Sequence, residues 1–137
     1  MSDKLVVEFY DSSGSDTPIA CVLACHGGDN PPQAATTLTD FFTAIAGVLD
    51  PRFEDAGLLA ARFVAWEGQR GSGRRSFDFL DVAIIPPHQA HGYQVARVYA
   101  GRESHPRLEL VRDQYTTTQE MEEAMAIIRA TSKKSVP

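Results

Sequence analysis

The chain predicts an α+β domain: a mostly antiparallel five-stranded sheet with three helices, in the order β-β-α-α-β-β-β-α. Three observations predict it. Five short runs are rich in β-branched and aromatic residues and are bounded by Gly, Pro, Asp or Ser. Three longer segments repeat their apolar residues at helical spacing instead. Strands follow one another through short links, which favours antiparallel neighbours, and three helices suffice to cover one face of the sheet.

The first strand spans Leu5 to Tyr10, where Leu5, Val7 and Phe9 alternate with Val6, Glu8 and Tyr10. The segment Asp11 to Pro18 is dense in turn formers and links it, as a hairpin, to a second strand from Ile19 to Cys25. That second run is continuously apolar, as in a strand buried on both faces. The loop from His26 to Pro31 feeds a helix whose first turn holds Pro32, where a missing N–H costs nothing. Ala35, Leu38, Phe41, Phe42, Ile45, Val48 and Leu49 form its apolar stripe. Asp50-Pro51 ends it, because the residue before proline avoids the helical region.

The segment from Asp55 to Arg70 fits two periods. Leu58, Leu59, Arg62, Phe63 and Trp66 fall on one helical face, while Leu59, Ala61, Phe63 and Ala65 also alternate. Its alanine content, with Asp55 as an N-cap, favours a second helix, which Gly71-Ser72-Gly73 breaks. Strands are then expected over Phe77 to Ile85, Tyr93 to Ala100 and Leu108 to Gln114, punctuated by Pro86-Pro87, Gly101 and Pro106. A last helix opens on Thr117 and Glu120, a capping-box pair. Met121, Ala124, Met125 and Ile128 make its inward stripe, and Lys133 and Lys134 suit its C-terminal dipole.

The stretch from Pro18 to Tyr99 resembles a group of small uncharacterised proteins from bacterial and phage genomes. In that group a strand ends in an Asp-Gly-Tyr-Pro-type loop, followed by two helices and a strand opened by His-Gly. Here the loop reads Gly28-Asp29-Asn30-Pro31, the second helix covers Asp55 to Trp66, and the later strand opens on His91-Gly92 and runs to Tyr99. The loop departs from the group's pattern. The resemblance implies a helix over the Asp55 segment; it implies no activity.

A chain of 137 residues fits a single domain over 1–137. With 43% hydrophobic and 23% charged residues it has the composition of a globular protein. The net charge of −5 repels phosphate backbones, so nucleic acid is a disfavoured partner. No apolar run reaches the roughly 18 residues of a membrane span. The N-terminal residues lack the apolar core and small-residue cleavage site of a signal peptide, so the expected location is the cytoplasm. Cys21 and Cys25, four apart on one strand, lie about 13 Å from each other, beyond the roughly 7 Å a disulfide spans. They read as buried, reduced thiols.

Few residues point to chemistry. His88 and His91 have ligand-like spacing but sit in a loop with no helix to align their rings, and Cys25 and His26 diverge along a strand. Gly27-Gly28 before a helix suggests an anion loop, yet Asp29 competes for the same N–H groups and the Lys and Ser/Thr of a nucleotide loop are missing. No cofactor or metal is expected, and catalysis is disfavoured. The leading expectation is a non-enzymatic protein-association module that forms a homo-oligomer through one sheet face. Tyr93, Val95, Arg97 and Tyr99 would share that face, opposite the small Gln94, Ala96, Val98 and Ala100 that let helices pack closely. Phe77, Phe79 and Asp81 share one side of the preceding strand, and Asp81 and Arg97 would supply polar specificity. A first alternative is a small-ligand or hydrolytic site where the loop of His26 and Asp29 meets that of His88 and His91. A second is weak nucleic-acid binding through Arg70, Arg74 and Arg75.

Overall fold

A computed structural model of the chain describes residues 4–12, 14–24, 27–70, 82–87, 93–101, 106–112 and 116–134. Its elements are β1 (Leu5–Tyr10), β2 (Ala20–Ala24), α1 (Pro31–Ala46), α2 (Ala56–Arg70), β3 (Val82–Ile85), β4 (Gln94–Tyr99), β5 (Arg107–Leu110) and α3 (Thr118–Lys134). Their order is the one the sequence predicts. The ambiguous Asp55 segment is helical, and Asp55 caps it by accepting the Leu58 N–H at 2.9 Å.

The sheet runs β3-β2-β1-β4-β5. Three of its four pairings are antiparallel, while β1 and β4 pair in parallel, so the sheet is mixed. The parallel pair arises because β4 does not lie beside β3. The β1–β2 hairpin is inserted between them, and β4 takes the free edge of β1. In this register Leu5 stands beside both Ala24 and Gln94, and Phe9 beside both Ala20 and Val98. Period-two alternation then sends Leu5, Val7 and Phe9 to one side with Val22, Ala96 and Val98, all of them fully buried.

That side carries the helices. α2 lies over β1, β2 and β3, α1 over β4 and β5, and α3 packs along α1. The buried side chains of all three helices form one core with the inward strand residues. At its centre Phe63 of α2 meets Phe41 of α1 edge-on, with ring centres 5.2 Å apart, and Phe9 of β1 at 5.9 Å. Ala96 and Ala100 are the small contacts expected of β4 on this face.

The helix starts follow the sequence closely. Asn30 caps α1 by accepting the Gln33 N–H at 2.9 Å, and Gln33 Oε1 in turn accepts the Asp29 N–H at 3.2 Å. At α3, Thr117 Oγ1 accepts the Glu120 N–H at 3.1 Å and Glu120 Oε1 accepts the Thr117 N–H at 3.0 Å.

The α1 end differs from expectation. The helix stops at Ala46, and the Gly47 N–H donates to the Ala44 carbonyl at 3.3 Å in a tightened last turn. Val48 and Leu49 thus lie past the helix and outside the core, and Leu49 is fully exposed. Glycine's poor helix propensity at 47 outweighs the apolar periodicity beyond it. On α3, Met125 is exposed, and Ile127 joins Met121 and Ile128 against the core. α3 packs mainly on α1, so a narrower stripe suffices. Ile19 precedes β2 and is exposed, and β5 is shorter than expected. Residues 77–81 of the third expected strand lie outside the described residues. Among the described residues no helix is long and apolar enough to cross a membrane.

Candidate interaction surface

The face opposite the helices is built by the same registers. Parallel pairing sets Glu8 beside Arg97 and Tyr10 beside Tyr99, while antiparallel pairing sets Glu109 beside Arg97 and Arg107 beside Tyr99. Two connected rows result across β1, β4 and β5. In the polar row, Arg97 Nε donates to Glu8 Oε1 at 3.1 Å and its Nη1 to Glu109 Oε1 at 3.2 Å, and Arg107 Nη2 donates to Glu109 Oε2 at 3.1 Å. In the aromatic row, Tyr10 and Tyr99 stack with centres 4.9 Å apart, and the Arg107 guanidinium lies 5.0 Å over the Tyr99 ring. The Tyr10 hydroxyl joins the rows by donating to Glu8 Oε1 at 2.9 Å.

Burial divides this face in two. Around β1 the side chains are buried: Val6 at 1% exposure, Tyr10 at 5% and Glu8 at 7%. Toward β4 and β5 they are accessible, with 39% of the Arg97 and Glu109 side chains and 61% of Arg107 exposed. Glu8 is a buried charge made tolerable by its Arg97 and Tyr10 partners. Burial opposes the Arg97 charge, but the bond to Glu8 and the charges around it outweigh that, holding the guanidinium above its ordinary pKa.

Two groups here resist ionisation. Burial, then the hydrogen bond to Glu8 and its negative charge, push Tyr10 up to about 12. Burial and the same Glu8 charge push the Cys21 thiol up to about 11. Both are neutral at physiological pH, and a thiol so held is a poor nucleophile. Their native forms bind protons more tightly than the unfolded chain does, so the stabilisation is complete below the unfolded values and is lost as pH climbs through the native ones. The melting temperature should therefore hold steady from pH 7 to about 9 and fall between about 9 and 12. Tyr10→Phe should flatten the upper part of that fall, measured by circular dichroism across pH; an unchanged profile would mean that the phenol does not contribute.

Of the residues expected on this face, Arg97 and Tyr99 stand two apart on β4, while Tyr93 lies just before the strand at its other end, with Lys4 Nζ 5.7 Å from its ring centre. They are half-buried rather than open to solvent, because each leans on a neighbour. Arg97 finds its carboxylates in Glu8 and Glu109. Phe79 and Asp81 lie outside the described residues. So do His26, His88 and His91, the histidines of the alternative pocket, and Cys25, Arg74 and Arg75. Asp29 is exposed at the α1 N-terminus with its N–H held by Gln33. Among the described residues no group of three His, Cys, Asp or Glu side chains is placed to hold a metal.

The sequence reading left out Glu8, Tyr10, Glu109 and Arg107. Their signal is alternation: Glu8 and Tyr10 are the off-beat of β1, and Arg107 and Glu109 alternate with Leu108 and Leu110. What alternation cannot supply is that β1 and β4 are neighbours. The chain matches no protein-family model, no curated protein and no solved structure.

Proposed function

We propose that this domain acts by protein association, forming a homo-oligomer through the β4–β5 half of its outer sheet face, without catalysing a reaction. One observation carries the reading: all three helices pack on one face, and the other presents a half-exposed aromatic and charged set already locked in place. Tyr and Arg are the residues that most often anchor protein interfaces. Side chains ordered before binding lose little entropy on contact, which favours affinity at modest area. The buried thiol of Cys21 fits a reducing, cytoplasmic setting.

Light scattering over a concentration series tests this. The wild-type chain of 15.0 kDa should give a mass of at least two chains at the highest soluble concentration. Tyr99→Glu should return it to one chain, while Ile84→Glu on the far edge strand should not. A one-chain mass for the wild type throughout would overturn the proposal, as would an unchanged assembly in Tyr99→Glu.

A further inference from the structure

We infer that the partner seated on this surface is a second copy of the chain, related by a two-fold axis that runs parallel to the strands between β4 and β5. The inference rests on the association reading above and specifies its geometry. It follows from how β4 and β5, the last two strands at one end of the sheet, match each other rung by rung.

On the outer face β4 presents Val95, Arg97 and Tyr99 in a column. Beside it β5 presents Arg107 and Glu109, and the alternation continues to Val111, whose N–H donates to the Val95 carbonyl at 2.9 Å. The registers set Val95 next to Val111, Arg97 next to Glu109 and Tyr99 next to Arg107. Each rung therefore joins complements: apolar with apolar, cation with anion, ring with guanidinium. Two of these pairs already touch within the chain, Arg97 with Glu109 at 3.2 Å and Arg107 over Tyr99 at 5.0 Å.

A two-fold axis between the columns, lying in the plane where two such faces meet, exchanges one column for the other. Val95 then faces Val111 of the second copy, Arg97 faces its Glu109, and Tyr99 faces its Arg107. Every rung that is complementary within one chain is complementary again between two. The charges of the middle rung close into one alternating square of two arginines and two glutamates. Turning the axis across the strands at the Arg97 rung instead lays Arg97 on its own mate and Glu109 on its own mate, which like-charge repulsion disfavours, and at any other height it no longer matches all three rungs. The favoured arrangement keeps the strands of the two sheets nearly aligned, as in face-to-face sheet packing. Being isologous, it stops at two chains rather than growing into a fibre.

The apolar rung offers a test that leaves the intramolecular ion pairs intact. Val95→Lys places a cation against Val111 of the mate, and Val111→Glu places an anion against Val95 of the mate. Each variant alone should weaken self-association by about tenfold or more, since each homodimer sets two charges against valines. Mixed in equal amounts, the two chains form a heterodimer in which one rung is Lys–Glu and the other Val–Val. Native mass spectrometry of the mixture should then show heterodimer well above the half expected from random pairing, after circular dichroism has established that both chains fold. If either valine variant fails to fold, Tyr99→Lys mixed with Arg107→Glu poses the same question on the third rung. A wild type that dimerises while both mixtures pair at random would overturn this axis and leave the association reading standing. A wild type that stays a single chain would overturn both.

Discussion

Phe63→Ala should lower the unfolding free energy by about 3–5 kcal/mol, the usual cost of truncating a fully buried aromatic. Phe63 has no exposed surface, and its ring is the meeting point of three elements: Phe9 of β1 at 5.9 Å, Phe41 of α1 at 5.2 Å and Trp66 of its own helix at 6.1 Å. Its neighbours belong to a strand and to helices that cannot all shift inward to fill the void. The loss combines transfer of the ring to water with the unfilled cavity, and it is large beside the roughly 5–15 kcal/mol of a whole domain. Urea unfolding measures it through the shift in midpoint at constant slope. A loss below about 1 kcal/mol would mean that the site collapses freely and that Phe63 does not hold α2 to the sheet.

Gly28→Ala should be at least as damaging, by more than about 3 kcal/mol, for a steric reason. The β2–α1 connection passes so close to the start of β1 that a Cβ on Gly28 would sit 2.0 Å from the Lys4 carbonyl oxygen and 2.9 Å from the Leu5 nitrogen. Both are backbone atoms at the head of a central strand, and Leu5 is fixed by pairing on both sides. Something must move, and what moves is β1 or the entry to α1. Gly27 makes a useful comparison. Its φ of 95° is left-handed and its added Cβ would meet Thr37 Oγ1 at 2.7 Å, a side-chain atom rather than the backbone of a paired strand. Gly27→Ala should cost less, on the order of 1 kcal/mol for the backbone conformation. Equal losses at the two positions would show that the close approach at Gly28 is not the determinant.

The pair also shows how much was legible in advance. Gly27-Gly28 can be read from the sequence as a tight turn before a helix with Asp29 or Asn30 as the cap, and the cap is Asn30. The two caps at Asp55 and Thr117 are equally local, and local hydrogen bonding settles them. The order of elements follows from periodicity, which is also local. The position of β4 is of another kind. Nothing near Gln94 says that it will lie beside Leu5, because that pairing is decided by which strands can bury their inner faces under α1 and α2 together. The polar row inherits this limit. Arg97 is visible as an outward residue, but its partner Glu8 stands 89 residues earlier in the chain. At the end of α1 the apolar spacing of Val48 and Leu49 misleads for the opposite reason: one glycine ends the helix before the pattern does.

The distance between Glu8 and Arg97 along the chain has a bearing on how the domain is made. During synthesis the β1–β2 hairpin emerges long before β4, with one flank of β1 still lacking its neighbour. Until Arg97 arrives, sinking Glu8 beneath Tyr10 would strand a lone carboxylate away from water. The outer side of β1 is therefore expected to stay hydrated until β4 pairs with it, so the sheet should complete late in folding.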